Sequence, residues 1–252
     1  MDFTGKYVLV TGGSRGIGRA VAQAFARHGA AAAINYNTNR QAAEETLQSL
    51  PGGPHFIVQA DVTQPDSVQK LIETVTQKFT GLDIVVNNAG VFTHHPLEDV
   101  SFAEWQKAWQ DTLAVNLVGP ANVCYYAARY MIKQGGGRIV NISSRGAFRG
   151  EPQAPAYGAS KAGLNAMSQS LAQQLAKFNI FVGVVAPGFV ETDMAADFLS
   201  GPEGDNIRSQ SPLGRVARPE EVAQAALFLA AEGSEFMTGA IIDVNGASYL
   251  RS

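Results

Sequence analysis

The sequence predicts an α/β fold, a single doubly wound parallel sheet of about seven strands with helices on both faces. Three observations lead there. Short apolar runs alternate with longer helical patterns along the 252 residues. Most of these runs are continuously apolar rather than alternating, which suits strands covered on both faces. A glycine-rich turn also joins the first run to the first helical pattern, where a sheet of this kind binds phosphate.

The strand candidates are Tyr7–Thr11, Ala31–Asn35, Phe56–Gln59, Ile84–Asn87, Arg138–Ile142, Phe181–Val185 and Ala240–Val244. Between them lie helical patterns over 17–28, 39–50, 65–79, 101–133, 156–178 and 219–232. Start signals support two of them. Thr63-Gln-Pro65 offers a cap and an entry proline, and Arg218-Pro219-Glu-Glu does the same. Gly135-Gly136-Gly137 reads as a helix stop. No linker, repeat or charge run divides the chain, so 1–252 is expected to be one domain. The least regular stretch, 188–215, is a candidate substrate lid.

Composition narrows the function. Hydrophobic residues make up 46% and charged residues 16%, which excludes a disordered chain. A net charge of −3 argues against nucleic acid as a partner. No apolar run has the length of a membrane span, and no signal peptide is legible, so a cytoplasmic protein without a membrane partner is expected. The single cysteine, Cys124, reads as a buried small hydrophobe. His94-His95 lacks a third ligand and is expected to be solvated, with no metal site. Trp105 and Trp109 are expected in the core or at a subunit interface.

The turn Thr11-Gly-Gly-Ser-Arg-Gly-Ile-Gly18 carries the first functional signal. Gly12, Gly16 and Gly18 let the backbone turn sharply and approach a pyrophosphate. Ser14, Arg15 and Ile17 stand where the helix N-terminus offers N–H groups and the positive end of its dipole. The second signal is Tyr157-x-x-x-Lys161 in a helical segment, where residues four apart share a face. A tyrosine titrates near pH 10, and lowering that by about 2–3 units would suit it to acid catalysis. A neighbouring ammonium is expected to supply much of that shift.

These motifs, with Asp61-Val62, Asn87-Asn88-Ala89-Gly90, Asn116, Ser143-Ser144 and Pro187-Gly188 in order, resemble the short-chain dehydrogenase/reductase family over essentially the whole chain. Pro212-Leu-Gly-Arg215 and Val244-Asn-Gly246 are similar to its 3-oxoacyl-[acyl-carrier-protein] reductase-like branch. The resemblance implies a Rossmann-type fold and a catalytic set of Asn116, Ser144, Tyr157 and Lys161. Ser144, thirteen residues before Tyr157, would hydrogen-bond the substrate carbonyl. Asn116 would hold a water that relays protons to Lys161, although a structural asparagine at a helix kink is the competing reading. Asp61 and Val62 would hold the adenine; Asn88, Ala89 and Gly90 would line the cofactor near its ribose. Val190 and Thr192, after the Pro187-Gly188 turn, would meet the nicotinamide carboxamide. Thr192 also reads as a helix N-cap. Ser143 is expected to bond backbone locally.

The cofactor is expected to be NADP(H) rather than NAD(H). After the second strand the chain reads Asn35-Tyr36-Asn37-Thr38-Asn39-Arg40, with no acid to bind a 2′-hydroxyl or repel a 2′-phosphate. Arg15 can pair with that phosphate, and Asn37 or Thr38 at a helix start can donate to it. Arg15 and Arg40 as plain solvated charges is the competing reading.

The expected activity is hydride transfer between nicotinamide and a carbonyl or secondary alcohol, closest to 3-oxoacyl thioester reduction. Lys133, Lys177 and Arg149 are scattered and form no clear docking patch for an acidic acyl carrier protein. A free ketone, sugar or cyclic alcohol therefore stays open as substrate. A non-catalytic nucleotide-sensing scaffold would be expected to lack Tyr157 or Lys161, and both are present. Phe92, Phe148, Arg149, Gln153 and Phe198 are candidates for the substrate pocket. The apolar content of 101–133 and 156–178 implies pairing with copies of itself, as a homotetramer or at least a dimer. The strand Ala240–Val244 and the tail to Ser252 would make the second interface.

Overall fold

The apolar runs assemble into one seven-stranded parallel sheet, with strand order β3-β2-β1-β4-β5-β6-β7, in a computed structural model that describes residues 1–251. The strands are β1 (Tyr7–Val10), β2 (Ala31–Tyr36), β3 (Phe56–Gln59), β4 (Ile84–Asn87), β5 (Gly137–Ile142), β6 (Ile180–Pro187) and β7 (Ile241–Val244). The first connection out of β1 leads toward β3, the later ones toward β7. The order therefore reverses between β1 and β4, and such a reversal opens a crevice at the strands' carboxyl ends.

Strand periodicity decides which face each residue serves. Val8, Val10, Ile34, Val86 and Val140 point to one core, covered by α1 (Gly16–Arg27) and α10 (Pro219–Ala230). Leu9, Ala33, Val85 and Ile139 point to the other, covered by α3 (Pro65–Phe79), α5 (Gly119–Gln134) and α7 (Pro155–Leu175). Phe25 and Leu71, from opposite layers, are both nearly or fully buried. Side chains of that size contribute about 1.5–3 kcal/mol each by leaving water. Cys124 is buried in the second core, beside the Asn87 amide, and burial pushes its thiol up to about 12.

The remaining helices are α2 (Arg40–Gln48), α4 (Phe102–Leu113), the short α6 (Gly146–Arg149), α8 (Asp193–Ser200) and α9 (Gly204–Ser209). The stretch 101–133 is not one helix. Ala114–Val118 forms a π-helical turn between α4 and α5, where the buried Asn116 spends its amide on a distant loop. The stretch 188–215 is more regular than its polarity suggested, since α8 and α9 lie within it. Gly201-Pro202 separates the pair. Thr63 does not cap α3: the N-cap is Gln64, and the Thr63 hydroxyl donates to Asp61 at 2.8 Å. Asn39 caps α2 by accepting from the Ala42 N–H at 3.0 Å, which leaves Asn37 and Thr38 before the helix. Among the described residues no helix is long and apolar enough to cross a membrane.

Candidate active site

A cleft of about 660 Å³ opens at the carboxyl ends of the central strands, within the range of small-molecule sites. Its floor is the turn between β1 and α1. The Thr11 hydroxyl accepts from the Asn88 and Ala89 N–H groups, both at 3.1 Å. The Asn88 amide donates back to the Thr11 and Gly12 carbonyls at 3.1 and 3.0 Å. From β2, Asn35 accepts from the Gly12 N–H at 3.3 Å and donates to the Ala60 carbonyl at 3.1 Å. Gly12 has φ +59°, and a Cβ there would stand 2.8 Å from the Ala89 Cα, so only glycine fits.

Ser14, Arg15, Gly16 and Ile17 line the cleft at the start of α1. Arg15 is the N-cap, no side chain caps the helix, and no acid lies in its first turn. The open N–H groups and the positive dipole end can take an anion. Gly18 is not on the wall. A Cβ there would lie 2.3 Å from the Gly12 carbonyl, so its glycine serves the packing of α1 onto the turn.

Tyr36, Asn37 and Thr38 continue the wall beyond β2 without an acid. Arg15 is exposed and reaches across the mouth to Asp193, 3.8 Å away. Arg40 is taken by Glu44 at 2.8 Å, one turn along α2. Asp61 and Val62 also line the cleft; one Asp61 oxygen accepts from the Thr63 N–H and hydroxyl. These features fit a dinucleotide: glycines where a Cβ would block, an uncapped helix start, and an exposed cation at the rim.

The other half of the cleft gathers the acid–base groups. Ser143 and Ser144 follow β5. The Ser144 hydroxyl accepts from the Gly146 N–H at 3.0 Å. Ser143 is not local in its bonding: its hydroxyl donates to the Lys161 carbonyl at 3.4 Å, across to α7. Tyr157 and Lys161, one turn apart on α7, both line the cleft. Lys161 donates to the Ile142 carbonyl at 2.9 Å, and its Nζ lies 5.7 Å from the Tyr157 ring centroid. Burial lowers Lys161 to about 8. Burial also pushes Tyr157 up to about 12, against the Ser144 hydroxyl, which acts to lower it. Lys161 is not among the groups that move Tyr157 in the protein alone, where desolvation of the phenolate prevails over the Ser144 hydroxyl.

Asn116 stands behind the wall rather than on it. Its oxygen accepts from the Val91 N–H at 2.8 Å, and its amide donates to the Val91 carbonyl at 2.9 Å. A Cβ on Gly90 would meet the Asn116 oxygen at 3.4 Å and the Lys161 Nζ at 3.6 Å. The Asn116 and Lys161 side chains thus meet at Gly90, with Lys161 on the cleft wall and Asn116 behind it.

Pro187, Gly188, Val190 and Thr192 line the cleft after β6. A Cβ on Gly188 would lie 3.1 Å from the Asn245 Cα. Thr192 occupies the N-cap position of α8 but does not cap it; its hydroxyl donates to the Val190 carbonyl at 3.4 Å. Its methyl group faces Gly16, 3.2 Å from where a Cβ would stand.

Phe92 and Phe198 form an apolar wall, 5.7 Å apart, and Phe92 packs edge-on against Tyr157 at 5.0 Å. Phe148, Arg149 and Gln153 are not on that wall. Phe148 lies under Arg251 at 4.4 Å, Arg149 pairs with Glu151 at 3.4 Å, and the Gln153 carbonyl accepts from the His95 N–H. Arg145 was missed and His95 was misread as solvated. Arg145, beside Ser144, is buried and donates to Gln210 at 2.5 Å and Ser248 at 2.6 Å. His95 is buried, not solvated, because its ring is enclosed against Trp105 at 5.4 Å. A cation directly after the strand-end serine was the available signal for the first; nothing local marked the second.

The family model described as Enoyl-(Acyl carrier protein) reductase matches residues 12–247. The chain is 40% identical to the 3-oxoacyl-[acyl-carrier-protein] reductase FabG of Aquifex aeolicus, over 97% of this chain and 98% of that protein. It is 38% identical to the FabG of Thermotoga maritima, over 98% of each. A dehydrogenase/reductase structure from Sinorhizobium meliloti superposes with a TM-score of 0.91 at 32% identity, covering 99% of this chain and 97% of that one. A mutant short-chain dehydrogenase/reductase from Serratia marcescens gives 0.90 at 32% identity, covering 98% of this chain and 99% of that one.

Proposed function

Since this chain belongs to the short-chain dehydrogenase/reductase family, in its FabG-like branch, and is an oxidoreductase of the carbonyl or CH–OH group with a nicotinamide cofactor, we propose that it carries out NADP(H)-dependent reduction of a 3-oxoacyl thioester. The observation that carries this reading is the convergence of Ser144, Tyr157 and Lys161 on one end of the cleft, beside the apolar wall of Phe92 and Phe198.

The turn residues Gly12, Ser14, Arg15, Gly16 and Ile17 hold the pyrophosphate on the N-terminus of α1. Arg15 pairs with the 2′-phosphate, flanked by Tyr36, Asn37 and Thr38. Asp61 and Val62 take the adenine, and Asn88, Ala89 and Gly90 line the ribose side. Pro187, Gly188, Val190 and Thr192 close around the nicotinamide. A nicotinamide held there would supply the hydride for the carbonyl carbon and, once oxidised, a positive ring. Tyr157 gives its phenolic proton to the carbonyl oxygen. Ser144 donates a hydrogen bond to that same oxygen as negative charge develops there. Lys161 holds the nicotinamide ribose and, once charged, favours the phenolate that Tyr157 leaves. Asn116 anchors the loop behind Lys161, on the side from which a proton is returned. The segment with α8 and α9 acts as the lid.

A free ketone, sugar or cyclic alcohol is the second reading. Lys133 and Lys177 are exposed at the ends of the helices that precede β5 and β6, away from the cleft, and Arg149 is paired with Glu151, so none of the three marks a carrier-protein site beside it. We place the enzyme in the cytoplasm as a homotetramer. Val118, Tyr125 and Ile132 expose one face of the π turn and α5, while Val123 and Leu164 belong to the core and leave a narrower interface than expected. Ser252 lies outside the described residues. Tyr157→Phe tests the acid role: turnover is expected to vanish while NADPH binding, read by fluorescence titration, stays within about twofold. Retention of more than a tenth of the activity contradicts it.

A further inference from the structure

We infer that His95 is a positioning residue for Tyr157, acting as a helix cap supplied from a different part of the chain. The inference rests on the reading of Tyr157 as the proton donor.

The catalytic helix α7 begins with little of its own to cap it. Its N-cap is Ala154, which has no side-chain acceptor, and its first residue is Pro155, which has no N–H. The Tyr157 N–H returns to the Ala154 carbonyl at 2.9 Å. That leaves the Ala156 N–H, immediately before the catalytic tyrosine. It donates to Nε2 of His95 at 3.3 Å, across 61 residues of sequence.

The other ring nitrogen fixes the tautomer. His95 Nδ1 lies 2.7 Å from the Thr93 carbonyl, which can only accept. The proton therefore sits on Nδ1, and Nε2 is left as the acceptor that Ala156 needs. The His95 backbone N–H donates to the Gln153 carbonyl at 2.9 Å, so the same residue ties the segment entering α7 a second time. The ring is 1% exposed and packs edge-on against Trp105. Nothing in this arrangement is loose enough for the imidazole to swing away.

The loop that carries His95 also carries Phe92, whose ring packs against that of Tyr157 at 5.0 Å. His95 thus sets the tyrosine from two directions: through the backbone one residue before it, and through the ring beside it. A small displacement of a proton donor costs rate more than it costs binding, since the geometry matters only as the proton moves.

The test compares His95→Leu with His95→Gln. Leucine keeps the bulk and removes the acceptor. Glutamine can place its Oε1 where Nε2 stood and accept from Ala156. The expected result for His95→Leu is a fall in kcat of about tenfold or more, with cofactor Kd and substrate KM within about twofold. His95→Gln is expected to recover most of kcat. Circular dichroism and the cofactor titration establish that both variants fold. Equal kcat in all three proteins would overturn the proposal. So would an equal loss in both variants, which would assign the residue to packing alone. If Tyr157→Phe remains active, the underlying assignment of the proton donor fails first, and the two failures are told apart.

Discussion

The two halves of the cleft are built differently. On the cofactor side, Thr11, Asn35 and Asn88 hold the glycine turn through backbone N–H and carbonyl groups of β1, β2 and β4. Each partner belongs to a buried strand or follows one directly. On the substrate side, α8 and α9 are tied by side chains reaching over space: Arg145 to Gln210, Arg208 to the Leu199 carbonyl, Ser211 to the Gly246 carbonyl, and Arg15 to Asp193. Short side chains bonded to strand-end backbone suit a ligand of constant shape, and helices held largely by long arginine side chains suit a segment that moves.

The contrast can be broken most sharply on the rigid side. Gly12→Val places a side chain against the Ala89 backbone, which cannot give way. NADPH binding is expected to weaken by more than about a hundredfold, as read by titration calorimetry. If affinity is retained, the turn is not the fixed element described.

Lys161 sits where the halves meet, and its burial makes a prediction about pH. Its folded value is about 8, below the value of about 10.5 for a free lysine, so folding favours the neutral amine. Between pH 8 and 10 the unfolded chain binds the extra proton, and the protein alone should grow more stable as pH rises through this window. Tyr157 works the opposite way, but only from about pH 10 to 12, where its raised value makes stability fall as pH rises. Lys161→Met should remove the rise seen by denaturant titration and lower kcat by about a hundredfold. A stability profile unchanged by the substitution contradicts the burial argument.

On the tethered side, Arg145→Met removes the bond to Gln210 and the bond to Ser248. The expected loss is about tenfold in kcat/KM, with NADPH affinity unaltered. Faster exchange of amide hydrogens in 193–210 should accompany it. Loss of cofactor affinity instead would erase the distinction between the halves.

This division also explains what was legible in the sequence. The strands came within two residues of their observed ends because each is an apolar run bounded by polar residues. The glycine turn and Tyr157-x-x-x-Lys161 were legible because their logic is local: a spacing on one turn or one helix face. Asn116 was singled out, but its π-helical turn and its bonds to Val91 depend on a segment 25 residues away. Arg145 escaped and His95 was taken as solvated for the same reason, since their partners lie 65 and 61 residues distant. Phe148, Arg149 and Gln153 were misplaced because α6 and the loop after it turn them away from the cleft. The helices α8 and α9 were read as irregular because glycines and a proline mask two short apolar faces, with Ala195 on one and Ile207 on the other.

Reduction of a 3-oxoacyl carbonyl by NADPH in this cleft is directly measurable. The most direct test follows nicotinamide oxidation by the purified protein with acetoacetyl-coenzyme A as the thioester, NADPH and NADH being compared side by side. Turnover is expected with NADPH, with a kcat/KM for NADH lower by about tenfold or more and no turnover by Tyr157→Phe. Tight NADPH binding with no oxidation of it by this thioester or by a panel of free ketones would contradict the account, as would equal use of the two cofactors.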